Sequence, residues 1–129
     1  GIAGLKAGVD YLLEETVEKL NRKTQELTQL FYKKVSEIDG IIVYGDFTEK
    51  ERCPIVSINV GQRDSAEISD LLSYEFGIAT RSGGHCAPLM HEALGTKEQG
   101  VVRFSFSSFT TEFEILEALK ALQKISQKE

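Results

Sequence analysis

The stretch Pro54-Ile55-Val56-Ser57-Ile58-Asn59-Val60 sets Ile55, Ser57 and Asn59 in alternation against Val56, Ile58 and Val60. A period of two with β-branched residues is the pattern of a strand. Because both faces are partly apolar, the strand is expected in the interior of a sheet, not at its edge. Working outward, Ile41-Ile42-Val43-Tyr44 is a second β-branched run, closed by Gly45-Asp46. Residues 77–81 and 100–106 read as two more strands. The latter sends Val101, Arg103 and Ser105 to one side, and Val102, Phe104 and Phe106 to the other.

Helices are expected around these strands. Over the first third of the chain, Ile2, Leu5, Val9, Leu12, Val17, Leu20, Leu27, Leu30, Phe31, Val35 and Ile38 recur at spacings of three and four, with charged residues between. That is an amphipathic helical pattern too long for one straight helix. Glu14-Glu15-Thr16 offers a break, with Thr16 capping a second helix that runs towards Ser36. Further helices are expected over 65–74, capped by Asp64 or Ser65, and over 88–94, opened by Pro88. A last helix carries Phe113, Leu116, Leu119, Leu122 and Ile125, capped by Thr110 or Thr111. The fold class is therefore α/β of the α+β kind: a small, mostly antiparallel sheet covered by helices, with a long N-terminal helical lead-in.

Composition narrows the function classes. A chain of 129 residues with 41% hydrophobic and 27% charged residues can bury one core. Its net charge is −5 and its basic residues are spread out, which argues against nucleic acid as a partner. No apolar stretch approaches the ~20 residues needed to cross a bilayer, so no membrane role is expected and the cytoplasm is the expected compartment. Two cysteines, Cys53 and Cys86, give no disulfide framework and are expected to be reduced. Gly1 leads straight into helical sequence without a methionine, as in a piece of a longer protein.

Chemistry concentrates in Arg81-Ser82-Gly83-Gly84-His85-Cys86-Ala87-Pro88. Paired glycines make it a loop. Cys86 lies between Arg81, His85 and a helix start, and each of these favours a thiolate. The bland alternative is a small buried apolar residue. A metal site from His85, Cys86 and His91 is disfavoured, because adjacent side chains rarely share an ion and a fourth ligand is lacking; a His85–Cys86 protease dyad is weaker still. Arg103, a guanidinium in an otherwise apolar strand, suits a carboxylate ligand held at two points; an edge arginine facing water or paired with a glutamate is the other reading.

Ala79 to Met90 taken with Val101-Val102-Arg103-Phe104-Ser105-Phe106 and Phe109-Thr110-Thr111 resembles cysteine desulfurases, in particular the SUF-type branch of the class V aminotransferases. Gly1 to Val9 is similar to the helix at which such chains leave the large cofactor domain. The resemblance implies the C-terminal small domain of a fold type I pyridoxal-phosphate enzyme. Residues 1–14 would link to a large domain and 15–129 would form the small domain proper. It further implies that Cys86 takes sulfur from L-cysteine, or a related amino acid, as a persulfide and leaves alanine. Arg103 would bind the substrate carboxylate, Arg81 would support it or the loop, and His85 would deprotonate or position the thiol. Pyridoxal phosphate, a sulfur-acceptor protein serving iron–sulfur cluster assembly or other sulfur delivery, and a homodimer of the full-length protein also follow from it.

Two departures accompany the match. Ala87 runs directly into Pro88 where the SUF-type loop usually has an intervening residue, and Gly84 stands where a second histidine is frequent. The family's Schiff-base lysine follows a histidine, and no His-Lys pair occurs here, so these residues are expected to bind no cofactor and to be inactive alone. A class V aminotransferase or lyase relative with a different amino-acid substrate, in which Cys86 is incidental, is one competing function. A stand-alone sulfur-carrier or interaction module is another.

Overall fold

The computed structural model describes residues 1–49 and 52–127. In chain order the elements are α1 (Ile2–Glu15), α2 (Val17–Val35), β1 (Ile41–Tyr44), β2 (Ile55–Val60), α3 (Ser65–Phe76), α4 (Pro88–Leu94), β3 (Val102–Ser105) and α5 (Glu112–Ser126). The three strands form one antiparallel sheet in the order β1-β2-β3, so β2 is central as its two-sided apolar pattern requires. Ile41 pairs with Val60 and Tyr44 with Ser57; on the other side Ile55 pairs with Ser105 and Ile58 with Val102.

One face of the sheet makes the core. Val56, Ile58, Val102 and Phe104 meet Phe31 and Val35 of α2, Ile68 and Leu72 of α3, and Ile115, Leu119, Leu122 and Ile125 of α5. Phe31, fully buried, lies with its ring centroid 4.8 Å from that of Phe104 and 5.3 Å from that of Phe106. The opposite face carries Ser57, Asn59 and Arg103, and it is this face that α4 approaches: Tyr44, Ile55, Met90, Leu94 and Val101 surround a pocket of 310 Å³ there.

Caps fall where short polar residues were expected. Thr16, at φ +64°, separates α1 from α2 and accepts a hydrogen bond from Lys19 N. Thr111 opens α5 with a reciprocal capping box to Glu114. An N-cap hydroxyl is worth about 1 kcal/mol, so Thr111→Ala is expected to lower unfolding free energy by that order, read from a denaturant midpoint at unchanged slope. Asp64, not Ser65, caps α3.

Two expectations are corrected. Residues 77–81 form no strand, only a single bridge in which Arg81 N and O pair with Arg103 O and N at 3.2 and 2.8 Å. Gly77 ends α3 in the left-handed region, and the short segment after it is held back to the helix by the 2.7 Å contact between the Ser69 and Thr80 hydroxyls. The strand expected over 100–106 shrinks to β3. Gly100 turns at φ +66°, its carbonyl is taken by the Asn59 side chain at 3.0 Å, and Val101 N bonds to Gly83 O.

α1 buries no residue: Ile2, Leu5 and Leu13 are well exposed, and Tyr11 stacks on Phe109 at 5.6 Å. Among the described residues no helix is long and apolar enough to cross a membrane.

Candidate active site around Cys86

The loop between the Arg81 bridge and α4 is anchored before it reaches the cysteine. Gly83 N donates to Ser65 Oγ at 3.2 Å and Gly83 O accepts from Val101 N at 3.3 Å. Gly100 passes so close that a Cβ there would lie 2.6 Å from Ser65 Oγ and 2.7 Å from Gly83 Cα; only glycine allows the approach. From this anchor the chain makes a tight turn closed by Ala87 N to Gly84 O at 2.9 Å. His85 and Cys86 occupy its two central positions at φ +50° and +58°. Side chains other than glycine reach the left-handed region at a cost of about 1–2 kcal/mol each, and the result is an exposed Cys86 thiol on the outside of the turn.

His85 is half-buried, with Nε2 2.9 Å from Arg81 O. A carbonyl only accepts, so Nε2 carries the proton of the neutral ring and Nδ1 keeps its lone pair. Burial holds the imidazole pKa below its ordinary 6.5, aided by the positive charges of Arg103 and Arg81 and by His91, and opposed by the bond to Arg81 O. The neutral, Nδ1-accepting form is therefore the one present near neutral pH.

Arg103 stands in β3 opposite Ser57, half-buried, on the face away from the core. Its Nε is buried without a hydrogen-bond partner, and among the described residues it forms no ion pair. The alternative in which a glutamate of this chain neutralises it is thus absent from the described residues. Arg81 is exposed and tied to Arg103 through the backbone bridge. Arg81, His85, Cys86 and Arg103 accordingly come together. Cys53 does not: it is exposed, next to Pro54, whose carbonyl holds Phe106 N at the far end of β3.

Reading the residues alone missed Ser65, Gly100 and the His91–Thr96 pair. Asp64 and Ser65 are both capping types and only one can cap, which was the signal that Ser65 is free for another partner. His91 entered only as a candidate metal ligand. Its ring does face His85, centroid to centroid 5.9 Å, yet among the described residues no group of three His, Cys, Asp or Glu side chains forms that could hold a metal.

The Cys86 turn and the Arg103 strand are thus linked through His85 and the Arg81 bridge, and among the described residues the Arg103 guanidinium has no counter-ion. The aminotransferase class-V family model matches residues 1–118, and the chain belongs to that family. Within it, the chain is 32% identical over 127 residues to a probable cysteine desulfurase from Methanothermobacter thermautotrophicus and 30% identical to the cysteine desulfurase of Pectobacterium atrosepticum, covering 98% and 97% of this chain but 31% and 29% of theirs. It superposes on the apo structure of a cysteine desulfurase from Thermococcus onnurineus with a TM-score of 0.89 at 25% identity, over 98% of this chain and 30% of that one. A cysteine desulfurase from Escherichia coli shares the fold at a TM-score of 0.81 and 21% identity, over 96% of this chain and 29% of its own. The α+β architecture read from the sequence is thus that of a part of these enzymes, and the chain spans about 30% of the length of the relatives it matches.

Proposed function

We propose that the chain is the C-terminal small domain of a cysteine desulfurase and that Cys86 is its sulfur acceptor. The observation that carries the proposal is the Cys86 turn itself: an exposed thiol held in left-handed backbone, joined through His85 and the Arg81 bridge to an arginine that has no counter-ion among the described residues. The likeness to desulfurases over nearly the whole chain supports it.

In the overall reaction L-cysteine and the Cys86 thiol give alanine and a Cys86 persulfide. The substrate's carbon–sulfur bond breaks, a sulfur–sulfur bond forms at Cys86 Sγ, and the thiol proton ends on the methyl carbon of alanine. Arg103 offers a fork that grips the substrate carboxylate, and its place in a strand fixes the direction of the fork. Arg81 braces that strand through the backbone. His85, with Nε2–H committed to Arg81 O, keeps Nδ1 to take the thiol proton.

The family's cofactor is pyridoxal phosphate. Every described lysine is exposed, whereas a Schiff-base lysine needs a closed site, so these residues do not make its site by themselves. In this reading α1 leads to a large domain that holds the cofactor, the small domain begins near residue 15, the intact protein is a cytoplasmic homodimer, and a further protein accepts the sulfur. L-cysteine is the proposed substrate.

The test uses the intact protein with pyridoxal phosphate, L-cysteine and a thiol reductant. Alanine and sulfide formed in equal amounts are expected; consumption of cysteine without sulfide would overturn the reading. The pH dependence adds a second expectation. A base must be unprotonated, and His85 takes its proton only below the ordinary imidazole value, so the acid limb of kcat/KM is expected below pH 6.5. His85→Gln should remove that limb, with a loss of about 10²-fold at neutral pH.

A further inference from the structure

We infer that His91 is a positioning residue for this site, acting on His85 from beneath the Cys86 turn; the inference rests on the desulfurase reading. His91 lies on α4 and is 1% exposed. Its Nδ1 is 2.8 Å from Thr96 Oγ1, whereas its Nε2 is buried with no partner. Thr96 is itself buried and fixed at both backbone groups, its N–H to His91 O at 2.9 Å and its carbonyl to Gly100 N at 2.8 Å. One nitrogen thus orients the ring and the other is left over. An apolar side chain would fill the same space on α4 without an unsatisfied polar atom, so packing alone gives no reason for an imidazole here.

The ring sits against the loop. Its centroid is 5.9 Å from that of His85 with the planes tilted by 40°, and a Cβ on Gly84 would come within 4.0 Å of His91 Cδ2. His85 thus bonds to Arg81 O and has the His91 ring as a neighbour. The groups that act on it are Arg81 from its own segment, Arg103 from β3 and His91 from α4, and no carboxylate is among them. At that distance the His91 ring takes room that water would otherwise fill beside His85 and its charge disfavours the charged form of His85, which keeps Nδ1 free for the neighbouring thiol. A bland structural role, joining α4 to the 96–100 segment through Thr96, needs only Nδ1.

His91→Asn separates the two roles, since asparagine presents a polar group where Nδ1 was and nothing where Nε2 and the ring edge were. In the intact protein with pyridoxal phosphate, in a Cys53→Ser background, two acid limbs are measured: that of kcat/KM for L-cysteine and that of Cys86 alkylation by iodoacetamide. The kcat/KM limb is expected to move up by about half a pH unit or more as His85 regains water, and the alkylation limb to move down, because a His85 that takes its proton more readily favours the thiolate beside it. A drop in kcat of about tenfold with KM changed by less than about twofold is expected alongside. The double variant His85→Gln/His91→Asn should be no slower than His85→Gln.

Unmoved limbs, or losses that multiply in the double variant, would overturn the inference. If His91→Asn does not fold, Thr96→Val loosens the same ring and must move the same limb in the same direction; an unmoved limb there overturns it equally. The alkylation limb is read without substrate. A native protein that forms no alanine and sulfide therefore counts against the desulfurase reading alone, while a static alkylation limb counts against His91.

Discussion

Cys86→Ala, made in the intact protein and assayed with pyridoxal phosphate and L-cysteine, is expected to reduce sulfide formation by about three orders of magnitude or more. No other thiol in the chain replaces it. Cys53 lies at the end of the sheet marked by the Pro54–Phe106 hydrogen bond, whereas the turn is anchored at the other end through Val101 and Gly100. Unfolding does not account for such a loss either. Cys86 is exposed and buries nothing, and alanine meets the same left-handed backbone at the same cost, so stability should change by less than about 0.5 kcal/mol. A melting curve matched to the native protein, with sulfide lost, is the expected pair of results. Undiminished turnover would make Cys86 a turn residue and move the assignment to a different class V reaction.

Arg103→Leu is expected to lower kcat/KM for L-cysteine by about 10²–10³-fold, chiefly through KM, because truncating one side of a charge-paired contact costs about 2–5 kcal/mol. Leucine suits the half-buried strand position and relieves the partnerless Nε, so thermal stability should hold or rise. Lysine at the same place should restore only part of the loss, since a single ammonium cannot present a planar fork. Steady-state kinetics across the three proteins, with alanine as the product measured, decides the matter. An unchanged KM in Arg103→Leu would return Arg103 to the sheet surface as a solvated side chain.

How far the sequence anticipates the structure depends on the range of the forces involved. Thr16 and Thr111 were readable as caps because a cap is a local bond over two or three residues, and both occur. The central place of β2 was readable because its alternation records two buried surfaces at once. The 77–81 segment was misread for the opposite reason: whether it pairs with β3 is decided by Gly77 turning left-handed and by Ser69 competing for Thr80, contacts that no period of two records. In the candidate site, Arg103 and Cys86 announce themselves by being polar or reactive in unusual company. Ser65, Gly100 and His91 do not, since each matters through a partner 5 to 35 residues away, at Thr96, Gly83 and Ser65, and spacing carries no trace of that.

If Cys86 carries sulfur as proposed, the double anchoring of Gly83 also sets how far that atom can travel. Between that anchor and the first turn of α4 lie only Gly84, His85, Cys86 and Ala87, and even with the bonds of the turn released a chain rises at most ~3.6 Å per residue. Held at both ends, such a tether gives its midpoint a radius of only about 7 Å. On that proposal the cargo would not be handed across a wide cleft: donor and recipient would each come up to this one edge of the sheet, a bulky recipient with its own acceptor atom on a protruding segment.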